Sequence, residues 1–139
     1  MILVDSNVLI DVIERDPLWR DWSSAKLQEA ANDGRLVINH IVLAETAPRV
    51  GPLDRFLDLL QAMAVEIEQL SDQAAYLAGH AYQKYRRNRK PTTEVSILAD
   101  FFIGGHAEAL NVSLLTRDPR FYRTYFPAVP LITPETTKP

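Results

Sequence analysis

An α/β fold, with a parallel sheet wrapped by helices, is what the sequence predicts, on three observations. Short aliphatic runs recur along the chain, segments of a dozen or more residues with helical period separate them, and no repeat, low-complexity tract or Gly/Ser linker divides the whole. At 139 residues, 47% of them hydrophobic, the chain is expected to form one domain over 1–139 with a core that needs no staples.

The first run, "ILV" at 2–4, leads straight into Asp5. A helix follows with Val8, Leu9 and Val12 on its apolar side and Asp11, Glu14 and Arg15 on its polar side. Asp16-Pro17 offers an N-cap and a first-turn proline for a second helix through Trp19, Trp22 and Leu27, which Gly34 stops. "LVIN" at 36–39 reads as a strand. A short helix carries Glu45, and Gly51-Pro52 separates it from another with Phe56, Leu57, Leu60 and Met63. "AVEIEQL" at 64–70 is the third strand. Ser71 and Asp72 open a long helix with Ala75, Leu77, Ala78, Ala81 and Tyr82, which Pro91 ends. A helix from about Val95 to Leu110 precedes the last two strands, "VSLL" at 112–115 and "VPLIT" at 129–133.

The absence of cysteine excludes disulfides, thiol nucleophiles and Cys-ligated zinc, and fits a reducing compartment. "MILVDSN" has no basic leader, and no apolar stretch approaches the roughly 20 residues that span a bilayer, so a soluble cytoplasmic protein with no membrane partner is expected. The net charge of −3 argues against coating nucleic acid by bulk charge. It is unevenly spread, however: "KYRRNRK" at 84–90 holds five cations and no acid, on an otherwise acidic chain.

Acids that follow apolar runs need a cause, because burying an unpaired carboxylate is costly. Asp5, Glu45, Asp100 and Asp118 stand at strand ends or on a mostly apolar helix. Asp11 and Glu66 pass the same crude test, but the helical wheel puts Asp11 on a polar face and strand alternation puts Glu66 outward, so both read as solvated. Around Asp100, residues Gly104 and Ala107 form a lane of small side chains open to another element or a substrate. In open parallel sheets the functional crevice lies beyond the carboxyl ends of the strands, where the strand order switches, and Asp5 occupies such an end. Each acid alone also has a structural reading: Asp5 as a helix cap, Asp118-Pro119 as a cap with first-turn proline, Glu45 paired with Arg49. Taken jointly, like charges gathered at one place require a counter-ion. A hard divalent ion with oxygen ligands suits them and would support phosphodiester hydrolysis.

"VDSNVLID", "LAET", "LADFFIGGHA" and "LLTRDPRFY", in this order, resemble the motifs of the PIN-domain ribonucleases, and among them the VapC-type toxins of bacterial toxin-antitoxin pairs. The resemblance covers nearly the whole chain. It implies a five-stranded parallel sheet of order 3-2-1-4-5, a homodimer, an inhibitory antitoxin and an endoribonuclease that leaves a 5'-phosphate and a 3'-hydroxyl. It makes Asp5, Glu45, Asp100 and Asp118 the Mg2+ site, with Mn2+ as a substitute, and assigns Asn7 and Thr116 to orienting carboxylates or water. Two departures stand out: Ser6 replaces a common Thr, and Phe121 stands where many relatives carry a further acid.

An acidic site repels RNA, so a local positive field must offset it. Lys84, Arg86, Arg87, Arg89 and Lys90, with Arg117, Arg120 and Arg123, are the candidate phosphate contacts, and Tyr82, Tyr85, Tyr122 and Tyr125 are interleaved where they could stack on bases. The plainer reading is a solvated helix end with packed tyrosines. His40, His80 and His106 match no imidazole metal spacing and read as structural. Trp19, Trp22 and Tyr76 read as core or interface. Rival functions fare worse. A haloacid-dehalogenase-like phosphatase needs an acid at Asn7 and a supporting lysine, and a phospho-receiver needs a lysine after its last strand, where only Lys138 is offered. A catalytically dead scaffold has no use for the full set of acids. The nearest alternative to a toxin is a solitary RNA-processing nuclease.

Overall fold

Every expected aliphatic run becomes a strand in the computed structural model, which describes residues 1–88 and 98–134. The strands are β1 (Ile2–Val4), β2 (Leu36–Ile38), β3 (Val65–Ile67), β4 (Ser113–Leu115) and β5 (Leu131–Ile132); β1 matches its run and the others are shorter than theirs. They form one parallel sheet in the order β3-β2-β1-β4-β5, as the resemblance implies. Leu3 pairs with Val37 on one side and Leu114 on the other, so β1 is central. Leu3, Val4, Val37, Ile38, Leu114 and Leu115 are fully buried. A central parallel strand is covered on both faces, which is why β1 and β2 carry no polar residue. Burying each such side chain contributes about 1.5–3 kcal/mol.

The helices are α1 (Ser6–Ile13), α2 (Arg20–Asp33), α3 (His40–Thr46), α4 (Leu53–Ala62), α5 (Asp72–Asn88), α6 (Leu98–Leu110) and α7 (Pro119–Tyr125), with a 3-10 turn at Ala47–Arg49. Among them, none is long and apolar enough to cross a membrane. Asp16 behaves differently from the expected cap. Its Oδ1 accepts from the backbone N–H groups of Leu18 and Trp19, both at 2.9 Å, so it closes a turn and α2 starts later, at Arg20. Asn39 is the cap of α3, accepting from Val42 N at 3.0 Å, which removes it from the strand the sequence assigned it to. Ser71 accepts from Ala74 N at 3.1 Å and opens α5 as expected. Asn111, with φ 56°, ends α6 in the left-handed conformation that asparagine tolerates, and the chain turns into β4. Pro91 and Val95 lie outside the described residues.

The small residues of α6 are used for close packing. A Cβ at Gly104 would overlap the ring of Phe126, and one at Gly105 would come within 2.6 Å of the Ala74 carbonyl oxygen on α5. The lane beside Asp100 is therefore filled by other elements of the fold, the first of the two occupants the sequence allowed. Tyr82 and Tyr85 of α5 complete this contact, with ring centroids 5.3 and 5.6 Å from that of Phe101.

Candidate active site

The strand order reverses between β1 and β4. The Asp5 backbone N–H donates to the Leu115 carbonyl at 2.9 Å, so Asp5 and Thr116 leave the sheet side by side. Asp5 then serves as the N-cap of α1, its Oδ1 accepting from Ser6 N at 2.8 Å. The cap reading thus holds for this residue, and it leaves Asp5 at the carboxyl end of the sheet where the sequence placed it.

Asp5 is buried, only 4% exposed, and its other oxygen is also surrounded by donors. Oδ2 accepts from Thr116 Oγ1 at 2.8 Å, the Tyr122 hydroxyl at 3.1 Å and Asn7 Nδ2 at 3.4 Å. Asn7 also reaches Thr116 Oγ1 at 3.4 Å. All these donors are neutral. Burial pushes the carboxyl up to about 6, with Glu45 adding to the rise and the donors opposing it. Asp100, in the first turn of α6, is pushed up to about 7 by burial and then by the charges of Asp5, Glu45 and Asp118, while a Tyr122 hydrogen bond pulls the other way. Acids from elements far apart in sequence thus act on Asp5 and Asp100.

Glu45 and Asp118 stand at the exposed rim. Glu45 Oε1 accepts from Ser6 Oγ at 2.9 Å, so the serine that replaces the common threonine keeps a hydroxyl contact. Arg49 pairs instead with Glu14 at 2.6 Å, which removes the ion-pair reading of Glu45. Asp118 precedes α7 without capping it through its side chain; its backbone N–H donates to Thr116 Oγ1 at 3.1 Å. Asp5, Ser6, Asn7, Asp100, Asp118, Phe121 and Tyr122 line a small pocket of about 90 Å3. A larger cavity of about 690 Å3, between α1 and α4, shares none of them.

Among the described residues, no three acidic or imidazole side chains converge tightly enough to form a ready-made metal cage. The donor set still fits a hard divalent cation. It is all oxygen, its two inner carboxyls are driven toward protonation by burial first and by neighbouring acids second, and Mg2+ uses one or two direct carboxylates and keeps several waters.

Tyr122 is the residue sequence reasoning misplaced. It is 2% exposed, so it is closed to stacking on a base, and its phenol is held protonated by burial and by Asp5 and Asp100. The spacing of Pro119, Tyr122 and Phe126, all buried, is the signal that marks an inward face. Tyr85 is likewise buried, and Tyr82 and Tyr125 pack on Phe101. The packed-tyrosine reading describes this cluster. Lys84, Arg86, Arg87, Arg120 and Arg123 are exposed, and Arg86 lies 6.0 Å from the Tyr82 ring centroid. Arg89 and Lys90 lie outside the described residues. His106 is buried with Nδ1 3.1 Å from Asn39 Nδ2, in keeping with a structural role.

Asp11 is a correction. The wheel placed it in solvent, yet it is 1% exposed. Its Oδ2 accepts from Ser23 Oγ of α2 at 2.7 Å and from Arg117 Nε at 2.8 Å, and its Oδ1 accepts from Arg117 Nη2 at 3.1 Å. The polar side of α1 is covered by polar groups of α2 and the β4–α7 turn, which a wheel cannot distinguish from water. Arg117, expected to face phosphate, is engaged internally by this pair. Glu66 is exposed as expected and pairs with Arg35 at 3.0 Å.

A doubly wound parallel sheet with a pocket lined by acids at its switch point defines a protein of the open α/β class. Within this class the chain belongs to the PIN domain family, which matches residues 2–127. No curated protein matches the chain. Among solved structures, it is similar to VapBC2 from Rickettsia felis bound to a promoter DNA fragment, at 22% identity over 96% of this chain and 98% of that one, with a TM-score of 0.73. DNA-bound VapBC from Salmonella typhimurium matches at 22% identity over 95% and 96% of the two chains, with a TM-score of 0.68. A toxin-antitoxin complex from Klebsiella pneumoniae matches at 21% identity over 96% and 98%, with a TM-score of 0.67.

Proposed function

We propose that the protein is a Mg2+-dependent endoribonuclease, the toxin of a toxin-antitoxin pair. The observation that carries this is that Asp5, Asp100 and Asp118 line one small pocket at the switch point with Glu45 acting on the first two, where among the described residues acids and neutral donors, rather than a cation, act on Asp5 and Asp100. Asp5 and Asp100 would hold the ion directly, and Glu45 and Asp118, at the rim, would hold its waters. Mg2+, with Mn2+ as a substitute, would when bound lower the pKa of a water and neutralise charge building on the phosphodiester oxygens. Thr116, Asn7 and Ser6 N fix the Asp5 carboxylate, and Ser6 Oγ aims Glu45. Hydrolysis by in-line attack of water leaves a 5'-phosphate and a 3'-hydroxyl. Exposed Lys84, Arg86, Arg87 and Arg120 are the proposed phosphate contacts, joined by Arg89 and Lys90. The solved toxin-antitoxin complex supports a protein antitoxin as partner, and a cytoplasmic homodimer completes the proposal.

The test is cleavage of RNA by the purified protein with Mg2+ and with chelator. Asp5→Asn and Asp100→Asn should each abolish cleavage, a loss of about 10³-fold or more, while circular dichroism stays that of the wild type. Retained activity in both variants, or activity in chelator, overturns the reading.

A further inference from the structure

We propose that Arg117 is a positioning residue: its pairing with Asp11 holds the β4–α7 turn against α1 and so sets where Thr116 and Asp118 meet Asp5. The inference rests on the nuclease reading of that site. One face of α1 grips residue 117 twice. Asn7 and Asp11 lie four apart on α1; Asn7 Oδ1 accepts from the Arg117 backbone N–H at 3.4 Å, and Asp11 takes two donors of its guanidinium. A planar fork bound by both carboxylate oxygens fixes orientation as well as distance, which a single ammonium contact does not.

The grip is itself braced. Ser23 of α2 holds Asp11 Oδ2 at 2.7 Å. The Trp19 ring lies 5.4 Å from the guanidinium carbon, and Asp16 holds Trp19 through its backbone N–H at 2.9 Å. On either side of Arg117 stand the two site residues of the turn. Thr116 Oγ1 donates to Asp5 and accepts from Asp118 N, so a shift at 117 moves both. Arg117 therefore acts on the site through the backbone it anchors.

Arg117→Lys, Asp11→Asn and the double variant test this, with Mn2+ affinity measured by calorimetry alongside kcat, KM and the salt dependence of KM on RNA. Each single variant should weaken Mn2+ binding and lower kcat by about 10-fold, leaving KM and its salt slope unchanged. The double variant should be no worse than the poorer single one, because both remove the same contact. If Asp11→Asn fails to fold, Arg117→Lys, which keeps the charge, decides alone. Raised KM with a shallower salt slope in Arg117→Lys, or unchanged Mn2+ affinity in the folded variants, overturns the proposal. Wild-type protein that binds no Mn2+, or Asp5→Asn that binds it as well as wild type, instead sinks the nuclease reading and the inference with it.

Discussion

Two acids at opposite ends of α1 are equally hidden and differently treated. Asp11 is met by a guanidinium fork and a serine hydroxyl, so its charge is matched where it lies. Asp5 is met by a threonine, a tyrosine, an asparagine amide and one backbone N–H, with further acids nearby. Burial alone therefore does not mark a functional carboxylate. What marks it is that, among the described residues, no positive partner meets it, because selection for stability alone would supply one or remove the acid.

The contrast breaks first under neutralisation. Asp5→Asn should destroy cleavage yet leave the metal-free protein at pH 7.5 as stable as wild type or more so. Asp11→Ala, which strands a partly buried guanidinium, should lower stability by about 3 kcal/mol, read as a drop in Tm. A destabilised Asp5→Asn would erase the distinction. Next comes pH. Because the Asp5 and Asp100 carboxyls sit near 6 and 7 in the fold against 3.8 as the reference, the folded state binds more protons than the unfolded one between about pH 4 and 7. Metal-free stability should then fall as pH rises through that window, by on the order of 3 kcal/mol for Asp5 alone, and saturating Mg2+ should restore it at neutral pH. Urea unfolding at a series of pH values, with and without Mg2+, measures both. A smaller effect belongs to the basic patch: Arg86→Ala with Arg87→Ala should raise KM for RNA and make log KM less steep in log salt by roughly 1.4. The smallest is Tyr122→Phe, which keeps the packing and removes one donor from the acid pair. It should cost about 1 kcal/mol at pH 7.5 and shift the pH transition upward, as followed by the same unfolding series.

Much of the fold was legible because aliphatic runs and caps are local signals. Leu36–Ile38 and Ser113–Leu115 announce themselves, and Ser71 caps where it should. The burial of Asp5 and the half-burial of Asp100 were legible by their apolar company. What escaped depends on two elements meeting. Asp11 looks solvated until α2 covers it, Arg117 looks free until Asp11 faces it, and Tyr122 looks like a base-stacking ring until α7 folds inward. Asn39 and Asp16 escaped for a subtler reason, since an Asx side chain can close a turn or begin a helix with the same local hydrogen bonds.

The Phe126 ring seated on Gly104 ties the segment after α7 to the helix that carries Asp100. Neither position can drift alone during divergence: any side chain at 104 expels the ring, and any smaller residue at 126 leaves a void against α6. Homologues that gain a methyl at the first position should show a compensating reduction at the second, so this pair will covary as a unit even though neither member touches substrate.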